Sequence, residues 1–119
     1  MKIIKIDYGQ LPLFASRNKN ILAHFDFLDD MIIYTREDEK KEIRLNDDPE
    51  TFNNIMALLK DADIESWEKS YVDNRILDGQ VFRAYIYFDD GSVKEVKCQN
   101  KYPKGFKNLR EINRICYYY

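Results

Sequence analysis

The sequence predicts an α+β fold, in which an antiparallel sheet of about five to six strands carries two amphipathic helices on one face. Residues 82–88 alternate apolar and polar side chains, which is the two-residue period of a half-buried strand. Residues 49–61 and 103–116 instead space their apolar side chains as a helix does. Because each helix offers a single apolar stripe, we expect both helices on the same face of the sheet.

The first half of the chain is expected to form four strands in an antiparallel meander, the simplest topology for consecutive strands. The expected strands cover residues 1–8, 21–28, 31–36 and 42–45. An irregular connection over 9–20 would join the first two strands. Asp29 and Asp30 would form the next turn, and a charged loop over 37–41 would precede the fourth strand.

The first helix has a clear start. Asp48 stands where an N-cap belongs, Pro49 suits the first helical position, and Glu50 complements the helix dipole. The apolar stripe that follows consists of Phe52, Ile55, Met56 and Leu59. We expect the helix to end near Asp61 or Ala62, and the chain to be extended over 64–74.

The hairpin after residue 82 allows two loops, with different strand registers. A two-residue Asp90–Gly91 loop would place charged side chains of the second strand on the apolar face. A three-residue Asp89–Gly91 loop pairs Phe88 with Ser92 and brings Val96 and Cys98 to that face, while it exposes Val93. Because a one-residue slip moves every side chain to the other face, the three-residue loop is the better prediction.

The last helix is expected to run from about Pro103 or Gly105 to Cys116, followed by a short tail of three tyrosines. Its inner face consists of Phe106, Leu109, Ile112 and Cys116. Its outer face carries the basic residues Lys104, Lys107, Arg110 and Arg114.

Part of this second half resembles a small domain found in many uncharacterised bacterial proteins. The resemblance covers residues 67–109 and is carried by Trp67, Tyr71, Leu77–Gly79, the 87–91 turn, Asn100, Tyr102–Pro103 and Phe106. The chain departs from that domain at Phe82, where an aromatic residue that is often Trp is expected, and at Cys98–Gln99, where a small residue and Gly are expected. The resemblance implies a fold and carries no catalytic residues.

Composition limits the class of protein. A chain of 119 residues with 45% hydrophobic and 34% charged residues is expected to fold as one domain, 1–119, rather than to be disordered. No apolar run approaches the ~20 residues of a membrane span, and the N-terminus lacks the apolar core of a signal peptide. Cys98 and Cys116 are expected as buried free thiols in a reducing compartment, so we expect a cytoplasmic protein.

Catalytic chemistry finds little support in the sequence. Alternation places His24 beside Leu22 and Asp26 on the polar side of a strand, with no nearby Ser or Cys to activate. One His and two Cys are too few for a structural zinc site. The acids at 89 and 90, followed by Glu95-Val96-Lys97, are similar to the metal-binding carboxylates of nucleases, but a hairpin tip explains them as turn formers. We therefore expect no enzyme activity, no metal and no cofactor.

Charge is unevenly distributed along the chain, and this pattern carries the main functional hypothesis. Residues 1–75 hold 16 acids and 11 bases, whereas residues 76–119 hold 5 acids and 8 bases. The predicted acidic patch is Asp29, Asp30, Glu37, Asp38 and Glu39. Such a patch favours a non-enzymatic protein that binds a basic partner, in the manner of immunity proteins and phage anti-defence proteins that inhibit nucleic-acid-handling enzymes.

The alternative function is a nucleic-acid-binding module. The basic outer face of the last helix would contact phosphates, and Tyr102 would stack on bases. The sequence pI of about 5.4 is far below the strongly basic value typical of such domains. A hydrolase of unknown type is the second alternative, and it ranks last because no acid/base pair or metal cluster is recognisable.

Overall fold

The computed structural model describes residues 2–12, 22–36, 39–73 and 80–119. Its strands are β1 Ile3–Pro12, β2 Ala23–Asp26, β3 Met31–Arg36, β4 Glu39–Arg44, β5 Ser70–Val72, β6 Gln80–Phe88 and β7 Val93–Gln99. The helices are α1 Pro49–Ala62 and α2 Phe106–Tyr117, and a 3₁₀ turn, Ile64–Ser66, follows α1. The strands form one sheet in the order β4-β3-β2-β1-β6-β7-β5.

The α+β class is confirmed, but the sheet is larger than predicted and is mixed rather than antiparallel. The meander of the first four strands is antiparallel, as are the β1–β6 and β6–β7 pairs. The edge strand β5 runs parallel to β7, with Tyr71 opposite Cys98. The alternation of apolar residues could not predict this pairing, because β5 has only three residues. Its position also depends on where the chain leaves α1.

β1 is longer than the predicted strand over 1–8. Gly9–Pro12 was expected to be irregular, but these residues pair with the beginning of β6, which itself starts at Gln80. Pro12 is tolerated because it lies at the end of the strand, where a missing N–H breaks no interior ladder bond. The long β1–β6 pairing makes β1 a central strand of the sheet.

β2 is shorter than the predicted strand over 21–28. The Asp26 carboxylate accepts hydrogen bonds from the backbone amides of Leu28 and Asp29, at 3.0 and 3.1 Å, and so turns the chain just after the strand. Asp30 completes the turn with a left-handed φ of 48°. The same acid that looked like a strand residue therefore ends the strand.

β4 begins earlier than predicted, because Arg36 pairs with Glu39 directly across the hairpin. Lys40 and Lys41, expected in a charged loop, belong to the strand. Glu37 and Asp38 lie outside the described residues. The charged side chains of β4 suit an edge strand, where charge opposes pairing with another chain.

The predicted three-residue register of the β6–β7 hairpin is confirmed. The Phe88 amide donates to the Ser92 carbonyl at 3.0 Å, and Ala84 lies opposite Val96. Gly91 adopts a φ of +89°, which glycine reaches without strain. Val93 is 49% exposed, as this register requires.

The two helices form where the sequence predicted them. The Asp48 carboxylate accepts the Thr51 amide at 3.1 Å as the N-cap of α1, and the helix ends before Asp63 in a left-handed conformation. All four predicted inner residues of α2 are buried. The extended segment predicted over 64–74 is only partly correct, because it starts with the 3₁₀ turn before β5.

Both helices pack on one face of the sheet, which we call the helix face. Phe82 meets Phe106 edge to face with ring centroids 4.9 Å apart, and the Tyr8 hydroxyl donates to the Asn113 side chain at 3.3 Å. The helices also contact each other, because the Asn108 side chain donates to the Leu58 carbonyl at 3.1 Å. These contacts join sheet and helices in one hydrophobic core.

Both cysteines are buried and free, as predicted. Burial raises the pKa of Cys98 to about 12 and the pKa of Cys116 to about 11. Both thiols therefore stay protonated and poorly nucleophilic at neutral pH.

Candidate functional site

Three connections rich in aspartate lie at the same end of the sheet. The β2–β3 turn, the β4–α1 connection and the β6–β7 loop all follow strands that run in the same direction, so all three lie at the same end of the strands. We call this region the acidic end and define it by six residues: Asp29, Asp30, Asp47, Asp48, Asp89 and Asp90. All of them are exposed except Asp48, which is half-buried.

Backbone hydrogen bonds fix the acidic loops to the sheet. The Leu45 amide donates to the Asp30 carbonyl at 3.1 Å, which joins the first two loops. The Lys2 amide donates to the Asp89 carboxylate at 3.0 Å, and the Asp89 amide returns a bond to the Lys2 carbonyl at 2.8 Å. From β4 to β6 the acidic end crosses four strand spacings, or ~19 Å.

Two of the six carboxylates are held ionised by their own turns. The Thr51 amide lowers the pKa of Asp48, as expected for a carboxylate at a helix N-cap. The Ser92 hydroxyl, at 2.6 Å, and the Ser92 amide, at 2.9 Å, lower the pKa of Asp90. These bonds also fix the direction of both carboxylates at neutral pH.

The acidic patch predicted from the sequence is divided between the two ends of the sheet. Asp29 and Asp30 precede β3, whereas Glu39 lies beyond its far end, about 20 Å away along six strand residues. Glu37 and Asp38 lie outside the described residues. The other four aspartates of the acidic end were missed, because only the sheet order shows that their loops are neighbours.

His24 lies on the face of the sheet opposite the helices, since it alternates with the buried Ala23 and Phe25. Leu22 was predicted beside it, but Leu22 instead packs against the core near Phe106 and Leu109. His24 also has a partner that the sequence did not indicate. Its Nδ1 contacts the Asp7 carboxylate on the neighbouring strand, where the β1–β2 register pairs the two residues. The side chains of His24 and Asp7 are 29% and 14% exposed. An aspartate and a histidine in contact are two of the three members of a nucleophilic triad, but β1, β2 and β3 contain no Ser or Cys to complete it.

The nuclease-like acids are engaged in structural contacts. Glu95 forms an ion pair with Arg83 at 2.5 Å, while Asp89 and Asp90 form the loop tip. Within the described ranges, no group of three or more His, Cys, Asp or Glu side chains is placed to hold a metal ion. That the chain binds no metal and no cofactor stays a prediction from the sequence.

The basic outer face of α2 is exposed as predicted, with Lys104, Lys107, Arg110 and Arg114 all accessible. Arg114 is paired with Glu111 at 2.5 Å, and this carboxylate reduces its effective charge. Tyr102 is half-buried and stacks on Phe106 with centroids 4.3 Å apart, so one face of its ring is covered. Tyr102 is therefore a poor platform for a nucleic-acid base.

No family of known proteins, no curated protein and no solved structure matches this chain. The resemblance of residues 67–109 to a small bacterial domain therefore stays a prediction. Among the described residues, neither helix has the length and apolar character needed to cross a bilayer.

Proposed function

We propose that this chain is a non-enzymatic binding protein whose acidic end captures a basic protein, as an inhibitor of a nucleic-acid-handling enzyme would. The observation that supports the proposal is that six aspartates from three loops lie together at one end of the sheet. Surfaces that bind phosphate backbones are basic, so a fixed row of carboxylates offers them a competing partner.

Rigidity supports the same proposal. The acidic loops are short, and they are tied to the strands by backbone bonds and by their own carboxylates. A preorganised surface loses little conformational entropy on binding, which raises affinity for a given set of charge contacts. Complementary charge also speeds association, most strongly at low salt.

The test neutralises part of the acidic end. We expect the wild-type chain to inhibit at least one enzyme in a panel of basic nucleases, polymerases and helicases, measured by turnover of a labelled DNA substrate. Changing Asp29, Asp30 and Asp89 to Asn should weaken inhibition by about 100-fold, as the loss of three contacts of roughly 1 kcal/mol each implies. Asparagine keeps the side-chain oxygen that accepts the Lys2 amide and tolerates the left-handed φ of Asp30.

The matched control changes three exposed acids outside the acidic end, namely Glu39, Asp61 and Glu68, to their amides. Both variants alter net charge equally, so equal losses would show that only overall charge matters. Inhibition of no enzyme in the panel would overturn the proposal outright.

The second candidate function is nucleic-acid binding by α2. The observation in its favour is that, of the four basic residues, only Arg114 has a carboxylate partner within the described part of the chain. The covered ring of Tyr102 and the acidic pI oppose it. We rank a hydrolase last, because Glu95 and Asp90 are engaged with Arg83 and Ser92.

We expect no measurable binding of a mixed-sequence RNA or single-stranded DNA by the wild type at physiological salt. Fluorescence anisotropy of a labelled oligonucleotide measures it directly, and a titration at low salt gives the salt dependence. Submicromolar affinity that is lost on changing Lys104, Lys107 and Arg110 to Glu, and retained in the Asp-to-Asn variant, would reverse the ranking of the two functions.

A further inference from the structure

An apolar groove opens beside the acidic end, on the helix face of the sheet. Its volume is about 620 Å³, and it lies between the second half of α1 and the ends of β1 and β2. The apolar residues that line it include Ile3, Phe27, Met56, Leu59 and Ile64. Leu59 and Ile64 are buried, whereas the first three are half-buried.

Acidic loops border one end of the groove. Phe27 lies two residues before Asp29, and the Lys2 backbone at the groove's edge is bonded to the Asp89 carboxylate. Asp63 and Glu65 form the rim on the α1 side. The lining itself is balanced in charge, with Asp63 and Glu65 against Lys2 and Lys60, and the Lys94 ammonium donates to the Glu65 carbonyl at 2.7 Å. The excess of acids comes from the two adjoining loops, which carry Asp29, Asp30, Asp89 and Asp90.

An exposed leucine extends the apolar surface beyond the groove. Leu28 is 64% exposed and lies between Phe27, which lines the groove, and Asp29, which belongs to the acidic end. A large exposed apolar side chain within a charged rim is typical of a protein-binding surface. Along the chain, Leu28 therefore connects the groove directly to the acidic end.

We propose that this groove receives the apolar face of a basic amphipathic helix presented by the partner protein. The inference rests on the proposed function and names the contact that adds specificity to it. Helices dock in grooves through apolar side chains spaced three and four residues apart, and the apolar lining of this groove offers such a stripe a complementary surface. Lysines and arginines flanking that apolar stripe would face the carboxylates of the adjoining acidic loops, whereas an acidic helix or an anionic lipid would be repelled.

The probe is a synthetic helical peptide of about 18 residues, or five turns, built from leucine and lysine with the leucines on one face. Isothermal titration should give micromolar affinity for the wild type and none for the peptide with glutamate in place of lysine. Changing Met56 to Lys should raise the Kd at least ~10-fold, since it places a charge in the groove. Ala57→Lys is the matched control, because Ala57 is the exposed neighbour outside the groove and its change adds the same charge.

A neutral variant, Met56→Gln, and amide shifts of the wild-type protein on peptide addition test the groove if Met56→Lys fails to fold. Shifts centred on Phe27, Met56 and Ile64 would support the inference, and shifts centred on α2 would overturn it. Equal weakening by Met56→Lys and Ala57→Lys would refute the groove and leave the acidic end intact. Binding of the leucine–glutamate peptide or of oleate in place of the basic peptide would also refute it. If the chain inhibits an enzyme but the basic peptide does not relieve that inhibition, the groove proposal fails while the proposed function of the acidic end stands.

Discussion

Replacing Phe82 with alanine is expected to lower the free energy of unfolding by about 3–5 kcal/mol, the usual range for a buried phenylalanine. Phe82 is 3% exposed, and its ring is a hub for three others, with centroids 5.8 Å from Tyr8, 6.5 Å from Trp67 and 4.9 Å from Phe106. The truncation therefore opens a cavity between the sheet, the segment after α1, and α2. Because domains of this size have total stabilities of roughly 5–15 kcal/mol, the loss is a large fraction of the whole.

Urea denaturation followed by circular dichroism measures the loss of stability, and two further variants serve as comparisons. Phe88→Ala should also be costly, at about 3 kcal/mol, because Phe88 lies on the same face and is buried. Tyr87→Ala should cost nearer to 1 kcal/mol, since Tyr87 is half-buried on the opposite face. If Tyr87→Ala were the most damaging of the three, the packing described for β6 would be contradicted.

The features that the sequence predicted well depend on residues close together in the chain. The register of the β6–β7 hairpin follows from a three-residue loop and from alternation on either side of it. The start of α1 follows from Asp48 and Pro49, and the buried face of α2 follows from a spacing of three and four residues. Each of these features is determined by a short, continuous stretch of sequence.

The features that were missed depend on contacts between distant segments. Gly9–Pro12 became strand only because β6 supplies a partner some seventy residues later, as the pairing of Leu11 with Val81 shows. Alternation along residues 82–88 placed Tyr85 on the polar side of β6, yet it is only 4% exposed, in a strand whose neighbours on both sides, β1 and β7, pair with it at Asp7 and Glu95. A two-residue alternation cannot indicate how central a strand will be.

The acidic end shows the same limit for function. All its aspartates except Asp47 were individually recognised as turn formers or as a helix cap, and those local roles are confirmed for Asp48 and Asp90. Their convergence depends on the strand order β4-β3-β2-β1-β6-β7, which no local pattern specifies. Grouping acids by nearness in sequence instead joined Asp30 to Glu39, which β3 holds apart.

Gly105→Ala is the second change expected to have a large effect, and its cause is contact between the two helices. An added Cβ at this position would lie 2.9 Å from the Cα of Ala62 and closer still to the Ala62 carbonyl oxygen. These are backbone atoms at the end of α1, so they cannot move aside as a flexible side chain would. We expect a loss of about 2–3 kcal/mol in the free energy of unfolding, in the range of overpacked cores.

The reason is steric, since the Gly105 backbone, with φ of −71° and ψ of −7°, is one that alanine adopts readily. Without the clash, alanine would even be favoured by about 0.4–1 kcal/mol through the lower entropy of the unfolded chain, so the sign of the effect tests the contact. The Ala62 carbonyl also accepts the indole N–H of Trp67 at 2.8 Å, and Trp67 is the single tryptophan of the chain. Gly105→Ala should therefore shift Trp67 emission to the red, whereas Gly91→Ala, with a φ of +89° and open space around it, should destabilise through strain and leave the emission unchanged. A stabilised Gly105→Ala variant with unchanged emission would show that α1 and α2 do not approach this closely.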